Sequence, residues 1–361
     1  MSEPEILLEE WSPVCNIHAF VEKTDTCCYF YLWINPGAEN TAVKSCWICN
    51  TAAAPKELDV EAMKQGMAPA MPEAFVLHDL KGMELDAENL RIVWFEEGNA
   101  AALLLEDEII CVIPCWSGFE GFHGYSRYAK GVTPCAWGLA DASEKMGERV
   151  ERSRDFWDWF EFEPDYWKIT QKMHMDALEK FFGRCENYYA IDGEQFPPKA
   201  LIRGTRDGVI YGITAGVSLI PMPGIELYDP DEYWEDRRME LGFAVTAGHE
   251  DLCSQMYAYV SAMAAYPWKE DTFLAHGHTI PYQRIEGYAA VILVNPKMVP
   301  GLETPEYEPC RGEPVNLLWL VPITGEEYQF AQEHDIDETL RHVGGDITKI
   351  HIFDGMHKFI I

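Results

Sequence analysis

Positive charge is scarce in this chain: its 361 residues hold 28 lysines and arginines against 60 aspartates and glutamates, a formal net charge of −32. Such a surface repels phosphate backbones and anionic lipid headgroups, so neither nucleic acid nor a membrane is an expected partner. Apolar runs are short as well, and none approaches the roughly 20 residues that a helix needs to span a bilayer. The opening residues, MSEPEILLEEW, carry acids where a signal peptide carries Lys or Arg, and the expectation is a cytoplasmic protein. Phosphate cradles are missing: there is no G-x-x-x-x-G-K-[ST] and no G-x-G-x-x-G after a strand. The G-x-S-x-G elbow of a serine hydrolase is missing too, because Trp116-Ser117-Gly118 follows Cys115. No cofactor is expected.

Aromatic residues make up 13% of the chain and hydrophobic residues 48%, which excludes disorder as the dominant state. The length allows two separate cores. Eleven cysteines in odd number and irregular spacing do not form a secreted disulfide framework, and they read as reduced thiols buried as small hydrophobes. The acids are dispersed through folded-looking sequence. A field of that kind covers a basic partner and speeds its capture, so the expected partner is a protein or peptide, a basic one being favoured by the charge.

The chain is organised around residues 315–330, VNLLWLVPITGEEYQF. The apolar run 315–321 is long enough for a strand and too short for a helix, and reads as an interior strand buried on both faces, stopped by Pro322. Thr324 and Glu327 form a capping box, with Ile323 and Tyr328 as its hydrophobic staple, so a helix follows with Glu326 and Glu327 at its positive end.

Residues 1–142 read as a β-rich domain, with strands over 27–34, 44–49, 74–78, 90–96, 100–105 and 109–113 and a hairpin at 97–99. The stretch CWSGFEGFHGYSRYAKGVTPCAWG is rich in glycine and aromatics without period, an ordered loop and a candidate binding surface. Residues 143–183 show helical spacing twice, broken at Glu163-Pro164, and read as a helical connector. Residues 184–361 alternate strands with inserted helices. Their elements are a hairpin about 205–208, a strand over 238–247 with Glu240 as its buried acid, a helix over 252–263, strands over 288–294 and 349–353, and a capped helix over 335–344. The expected class is α+β: two mixed domains, antiparallel-rich sheets with flanking helices.

Chemistry-bearing clusters are weak. Cys46-x-x-Cys49 has the spacing of half a zinc site, for which Cys15 with His18, Cys27 with Cys28, or Cys111 with Cys115 would have to supply the rest. His276-x-His278 would share a face if extended, but Gly277 points to a turn. Cys115, Ser117, His123 and Ser126 share the aromatic loop. An enzyme, hydrolase or metal-dependent, centred on Cys115 and His123 or on His276 and His278, is therefore the alternative to a non-enzymatic binding protein. Glu326 and Glu327 point about 100° apart on a helix and do not share a substrate proton.

The strand, V-P-I turn, paired glutamates and aromatic at 315–330 resemble the closing motif of suppressor of fused-like domains. RRMELGFAV at 237–245 and DTFLAHGHTIPY at 271–282 are similar to other pieces of that family, in its usual order. KSCWICN and IVWFEEGNAAALL resemble the N-terminal extension of some bacterial members. The resemblance implies a protein that acts by protein–protein contact: animal members hold a transcription-factor peptide as an added strand in a cleft between two domains, and bacterial relatives are regarded as immunity proteins that neutralise toxins. On that basis the expected partner contacts are Glu326, Glu327, His276, Trp116, Phe119, Tyr125, Tyr233 and Trp234, on the loops 116–128 and 229–234 and around them.

Overall fold

The computed structural model describes residues 3–356 and 358–361. The chain divides into two compact units, one ending at Phe162 and the other beginning at Glu163. Both mix sheets with helices, so the class is α+β.

The first unit opens with an antiparallel sheet, β1 (Glu5–Trp11), β2 (Ile17–Lys23), β3 (Cys27–Ile34) and β4 (Ala42–Asn50), in sequence order. The sequence reading did not reach β1 and β2. β3 ends where expected, at Asn35, whose positive φ of 48° turns the chain. Trp47 on β4 is fully buried, and its indole Nε1 donates to Asn50 Oδ1 at 3.0 Å. Asn50 also exchanges bonds with the Met71 backbone and takes His78 Nε2 on its own N–H, fixing the following loop. That loop carries the short helix α1 (Val60–Lys64). The strand expected over 74–78 is not formed: Glu73–Phe75 is one 3-10 turn, and Val76 makes only an isolated bridge to Ala129. The order of polar anchors there overrides the apolar pattern.

A second sheet runs β5 (Leu90–Trp94), β6 (Ala101–Leu105), β7 (Glu108–Ile113), β8 (Tyr125–Ser126) and β9 (Trp137–Gly138). The β5–β6 hairpin forms at the expected break. Its acids, Glu96 and Glu97, are buried because α2 (Ser143–Phe162) covers them: Arg149 Nη2 meets Glu97 Oε2 at 2.8 Å and Arg152 Nε meets Glu96 Oε1 at 3.1 Å. Met146 and Val150 of α2 join Val93, Phe95, Ala102 and Leu104 in one core.

The helical stretch breaks at Glu163-Pro164 as expected, and each half packs within its own unit. α3 (Tyr166–Phe182) places Leu178, Phe181 and Phe182 in the core of the second unit. The sheet of that unit is built from β10 (Asn187–Ala190), β11 (Ala200–Arg206), β12 (Val209–Ala215), β13 (Met239–Thr246), β14 (Thr279–Pro281), β15 (Ala290–Val294), β16 (Asn316–Ile323) and β17 (Ile352–Phe353). Its order is β10-β11-β12-β13-β16-β15-β14, with β17 beside β13. Pairing is antiparallel except where β13 meets β16 and β17. The helices α4 (Ile225–Tyr228), α5 (Cys253–Met263), α6 (Tyr266–Glu270), α7 (Gly325–Glu333) and α8 (Ile336–Arg341) lie in the connections.

β16 is buried at every residue, as an interior strand should be. It does not stop at Pro322, however. Pairing with β15 continues through Pro322 opposite Val291 to Ile323 opposite Ala290, whereas pairing with β13 ends at Trp319. A proline with a partner on one side only leaves no donor missing from a two-sided ladder. Trp319 is fully buried beside Gly242 of β13, where a Cβ would lie 2.7 Å from the indole ring. The capping box is present: Thr324 Oγ1 accepts the Glu327 N–H, and Glu327 Oε2 accepts the Thr324 N–H at 2.6 Å. α8 starts at its Asp335 cap and ends at Arg341, short of 344, and the last strand is only Ile352–Phe353, because Ile347–Lys349 is a 3-10 turn.

Glu240 is fully buried, as its place in a strand of apolar neighbours suggested. Four donors hold it: Thr214 Oγ1 at 2.6 Å, the N–H groups of Gly216 and Ser218 at 3.0 Å, and Ser218 Oγ at 2.7 Å. Buried charge is tolerated on these terms alone.

Candidate partner-binding surface

β14 is the terminal strand of the second unit's sheet. Tyr282 donates its N–H to the Ala289 carbonyl, and Ile280 lies opposite Val291 in the same register. By antiparallel alternation, the backbone groups of Thr279 and Pro281 therefore face away from β15. Pro281 brings no N–H to that edge, which limits indiscriminate pairing. Gln332 Nε2 of α7 donates to Thr279 Oγ1 at 2.6 Å and fixes the strand's end.

The loop before β14 is held by Gly277, whose φ is +85° and where a Cβ would lie 2.8 Å from Ile336 Cβ at the start of α8. The positive φ of Gly277 sets the two histidines in a turn and not on a strand. His276 Nδ1 accepts the Asn295 N–H at 3.1 Å, while its Nε2 is buried with no partner. Burial lowers the His276 pKa, with Asp337 acting in the opposite direction. Burial likewise lowers that of His278, against a hydrogen bond to the Phe273 backbone. The hydroxyls of Tyr259 and Tyr282 are also buried without partners, their rings stacked 4.1 Å apart. Burial raises both phenols above their ordinary range.

A continuous aromatic surface leads away from this edge. His278 meets the Phe273 ring at 5.2 Å, and Phe273 meets Tyr228 at 5.6 Å. Tyr228 is 73% exposed and Leu227 is 56% exposed. Beyond α4, Trp234 is exposed and packs against Tyr233 at 5.6 Å. Asp236, which follows them, lines a small cavity with His276. Burial raises the Asp236 carboxyl pKa against the opposing charge of Lys297. Between Glu226 and Asp236 the chain holds Glu226, Asp229, Asp231, Glu232, Glu235 and Asp236 and no base. The adjacent arginines are consumed internally. Arg237 and Arg238 both clamp Glu313, and Arg238 also donates to the carbonyls of Ser218 and Leu219. Burial alone would push the Glu313 carboxyl up, but the two guanidiniums hold it below its usual value. The surface is thus aromatic and acidic.

The structure brings His276, Tyr233 and Trp234 into this region. Of the two glutamates, Glu326 is exposed at the N-terminus of α7, whereas Glu327 is buried and accepts the Thr324 and Phe359 N–H groups. Trp116, Phe119 and Tyr125 lie in the first unit, where Phe122 packs against Tyr125 with ring centroids 4.9 Å apart and Phe119 is 69% exposed. Tyr228, Phe273, Tyr259 and Tyr282 were missed by the sequence reading. The signal available was the interleaving of aromatics with acids over 226–236, of which only Tyr233 and Trp234 were singled out.

The enzyme candidates are not assembled. Ser117 Oγ donates to the His123 backbone carbonyl and not to its ring, Ser126 Oγ donates to the Ile48 carbonyl, and Cys115 is buried in the first core. Cys46 Sγ lies 3.7 Å from the Trp47 carbonyl oxygen, and Cys49 stands opposite Cys28 in the β3–β4 register. Among the described residues, no group of three or more His, Cys, Asp or Glu could hold a metal ion. No helix of the described residues is long and apolar enough to cross a membrane.

Residues 197–354 match the family model described as Suppressor of fused protein (SUFU). The three motifs at 237–245, 271–282 and 315–330 all fall inside that range. No curated protein matches the chain. Among solved structures, one described as "the Sufu-Fu complex crystal structure" aligns at 14% identity over 53% of this chain and 91% of that one, with a TM-score of 0.37, too low to carry a structural argument. Residues 197–354 of this chain are therefore a suppressor of fused-like domain.

Proposed function

We propose that this chain is a non-enzymatic binding protein that captures a basic polypeptide on the aromatic and acidic surface beside β14. The observation that carries the reading is the coincidence at one sheet edge of outward backbone groups, three buried polar atoms without partners, and a base-free loop with exposed Tyr228 and Trp234. An extended segment added to β14 would bond to the Thr279 backbone, with its side chains between Tyr282 and the Tyr228–Phe273 pair. Aromatic anchors supply affinity, and the acids supply orientation and on-rate. Polar atoms buried without partners in the free protein gain hydrogen bonds from a ligand that reaches them.

The wider role that fits is an immunity-type protein of the cytoplasm that neutralises a toxin or regulatory protein by occupying it. The match of residues 197–354 to the suppressor of fused family model supports this reading. The test is quantitative binding of the purified chain to cationic polypeptides from its own source. Tyr228→Ala with Trp234→Ala serves as the control. Loss of binding in that double variant with an unchanged unfolding midpoint supports the site, and binding equal to the parent chain removes it.

A further inference from the structure

Residues that face one another across the first sheet form a row from β1 to β4: Glu5 opposite Lys23, Lys23 opposite Cys28, and Cys28 opposite Cys49. Cross-strand partners project from the same face of a sheet, so the two thiols are neighbours, with an ammonium beside them. The bonds that flank the pair fix its type. Thr51 donates its N–H to the Thr26 carbonyl and the Asn50 N–H turns outward to His78 Nε2, so by antiparallel alternation Cys28 and Cys49 are a hydrogen-bonded pair. Such pairs hold their Cα atoms about 5.5 Å apart, inside the window of about 4.4–6.8 Å that a disulfide spans.

The surroundings select this pair among the cysteines of the sheet. Cys27 Sγ donates to the Ala68 carbonyl at 3.6 Å, and Cys46 Sγ to the Trp47 carbonyl at 3.7 Å, so both are directed elsewhere. A β-bulge follows the pair at once, where the register shifts and Tyr29 comes to stand opposite Trp47. A bulged ladder bends and twists locally, which accommodates the dihedral angle of about 90° across a disulfide. Lys23 makes a long ion pair with Glu5, at 3.9 Å, and so keeps its charge beside Cys28. The two thiols divide the roles of an exchange reaction: the neighbouring Cys49 thiol first, and the Lys23 charge after it, hold Cys28 below its ordinary pKa against burial, whereas Cys28 and burial push Cys49 up. Cys28 is thus the member that ionises first, and the thiolate is the nucleophile.

We propose that Cys28 and Cys49 are an oxidative modification site of the first unit, forming a reversible disulfide that ties β3 to β4. The oxidant is hydrogen peroxide, a molecule close to water in size. Both thiols are fully buried, so the reaction is slow and waits on local opening at the end of the sheet. The Cys28 thiolate attacks one peroxide oxygen and the O–O bond breaks, leaving a sulfenic acid and a hydroxide that takes up the proton Cys28 released. The Cys49 sulfur then displaces the sulfenic oxygen, which leaves as water with the Cys49 proton as the S–S bond forms. Two thiols and one peroxide thereby give one disulfide and two waters, and a dithiol reductant reverses the result. The site does not involve the proposed partner surface, and either can be lost without the other.

The experiment treats the reduced full chain with hydrogen peroxide, alkylates the remaining thiols under denaturing conditions, and maps the unreduced peptides by mass spectrometry. The expected result is the joint loss of Cys28 and Cys49 from the alkylated set and one peptide pair linked through them, with both thiols regained after dithiothreitol. Cys185, the partly exposed thiol, reports that the oxidant has acted. In Cys49→Ser the linked peptide is lost and Cys28 stops at the sulfenic acid, captured by dimedone. Cys28 and Cys49 both still alkylated after Cys185 is oxidised, or each linked to some other cysteine, overturns the proposal. That reading comes from the unsubstituted chain, so it stands even where Cys49→Ser perturbs folding.

Discussion

Glu327 Oε1 accepts the backbone N–H of Phe359 at 3.0 Å, so the acid that caps α7 also fastens the end of the chain. Its other oxygen is taken by Thr324, and the residue is 3% exposed. Glu327→Ala leaves two buried N–H groups without acceptors, and the expected loss of stability is about 2–4 kcal/mol. Glu326→Ala, one residue away and exposed, is expected within about 0.5 kcal/mol of the parent. Urea unfolding of the two variants checks this, and amide exchange should show Phe359 opening in Glu327→Ala alone.

Glu240 makes a parallel case in the interior. Replacing it with Gln places an amide N–H₂ against the Thr214, Gly216 and Ser218 donors, and a loss of about 2–4 kcal/mol is expected. If Glu240→Gln unfolds at the parent's urea midpoint, the carboxylate is not holding that turn.

Acid should destabilise the fold through its histidines. His174, His276 and His351 all have folded-state pKa values lowered by burial, His351 to about 3. Below the unfolded value of about 6.5, the unfolded chain binds protons that the folded chain refuses, so stability is full above that pH and falls beneath it. For His351 the window runs from about pH 6.5 to about 3, with a slope of about 1.4 kcal/mol per pH unit. His351→Phe should flatten the decline between pH 6.5 and 5 in urea titrations, as far as the packing against Trp319 tolerates it. A slope identical to that of the parent chain would contradict the assignment.

Ten of the eleven cysteines are buried and Cys185 is partly exposed. Burial raises the thiol pKa of Cys185, so even this residue should react slowly at neutral pH. A chromogenic disulfide reagent added to the native protein is expected to label Cys185 first, and all eleven thiols only after denaturation. Rapid native labelling of Cys46 or Cys49 would reopen the zinc or redox reading of that pair.

Local signals were legible in the sequence, and long-range ones were not. The capping box, the turn after Ile34 and the break at Pro164 each rest on residues within a few positions of one another, where side chain and backbone chemistry decide; the burial of Glu240 was legible from its apolar neighbours, but its partners, 22 to 26 residues away, were not. β1 was missed because EILLEEW is mostly exposed and lacks a clean alternation. Pro322 was read as a stop because sequence does not show that β13 leaves β16 at Trp319 and frees that side. The candidate surface follows the same division. Tyr233, Trp234 and His276 announced themselves by composition. Tyr259 and Tyr282 are brought together by a helix folding onto a strand, and Glu327 was absorbed by a tail more than 30 residues away.

The central claim is that a basic polypeptide binds the second unit through Tyr228 and Trp234 and is steered by the acids around them. The most direct measurement is calorimetric titration of the purified chain with its cationic partner at low and raised salt, repeated with Tyr228→Ala and Trp234→Ala. The account predicts a binding constant that weakens with salt and falls at least about 30-fold in the double variant, two anchors each contributing about 1–2 kcal/mol. Binding that is insensitive to both salt and the double substitution would contradict it.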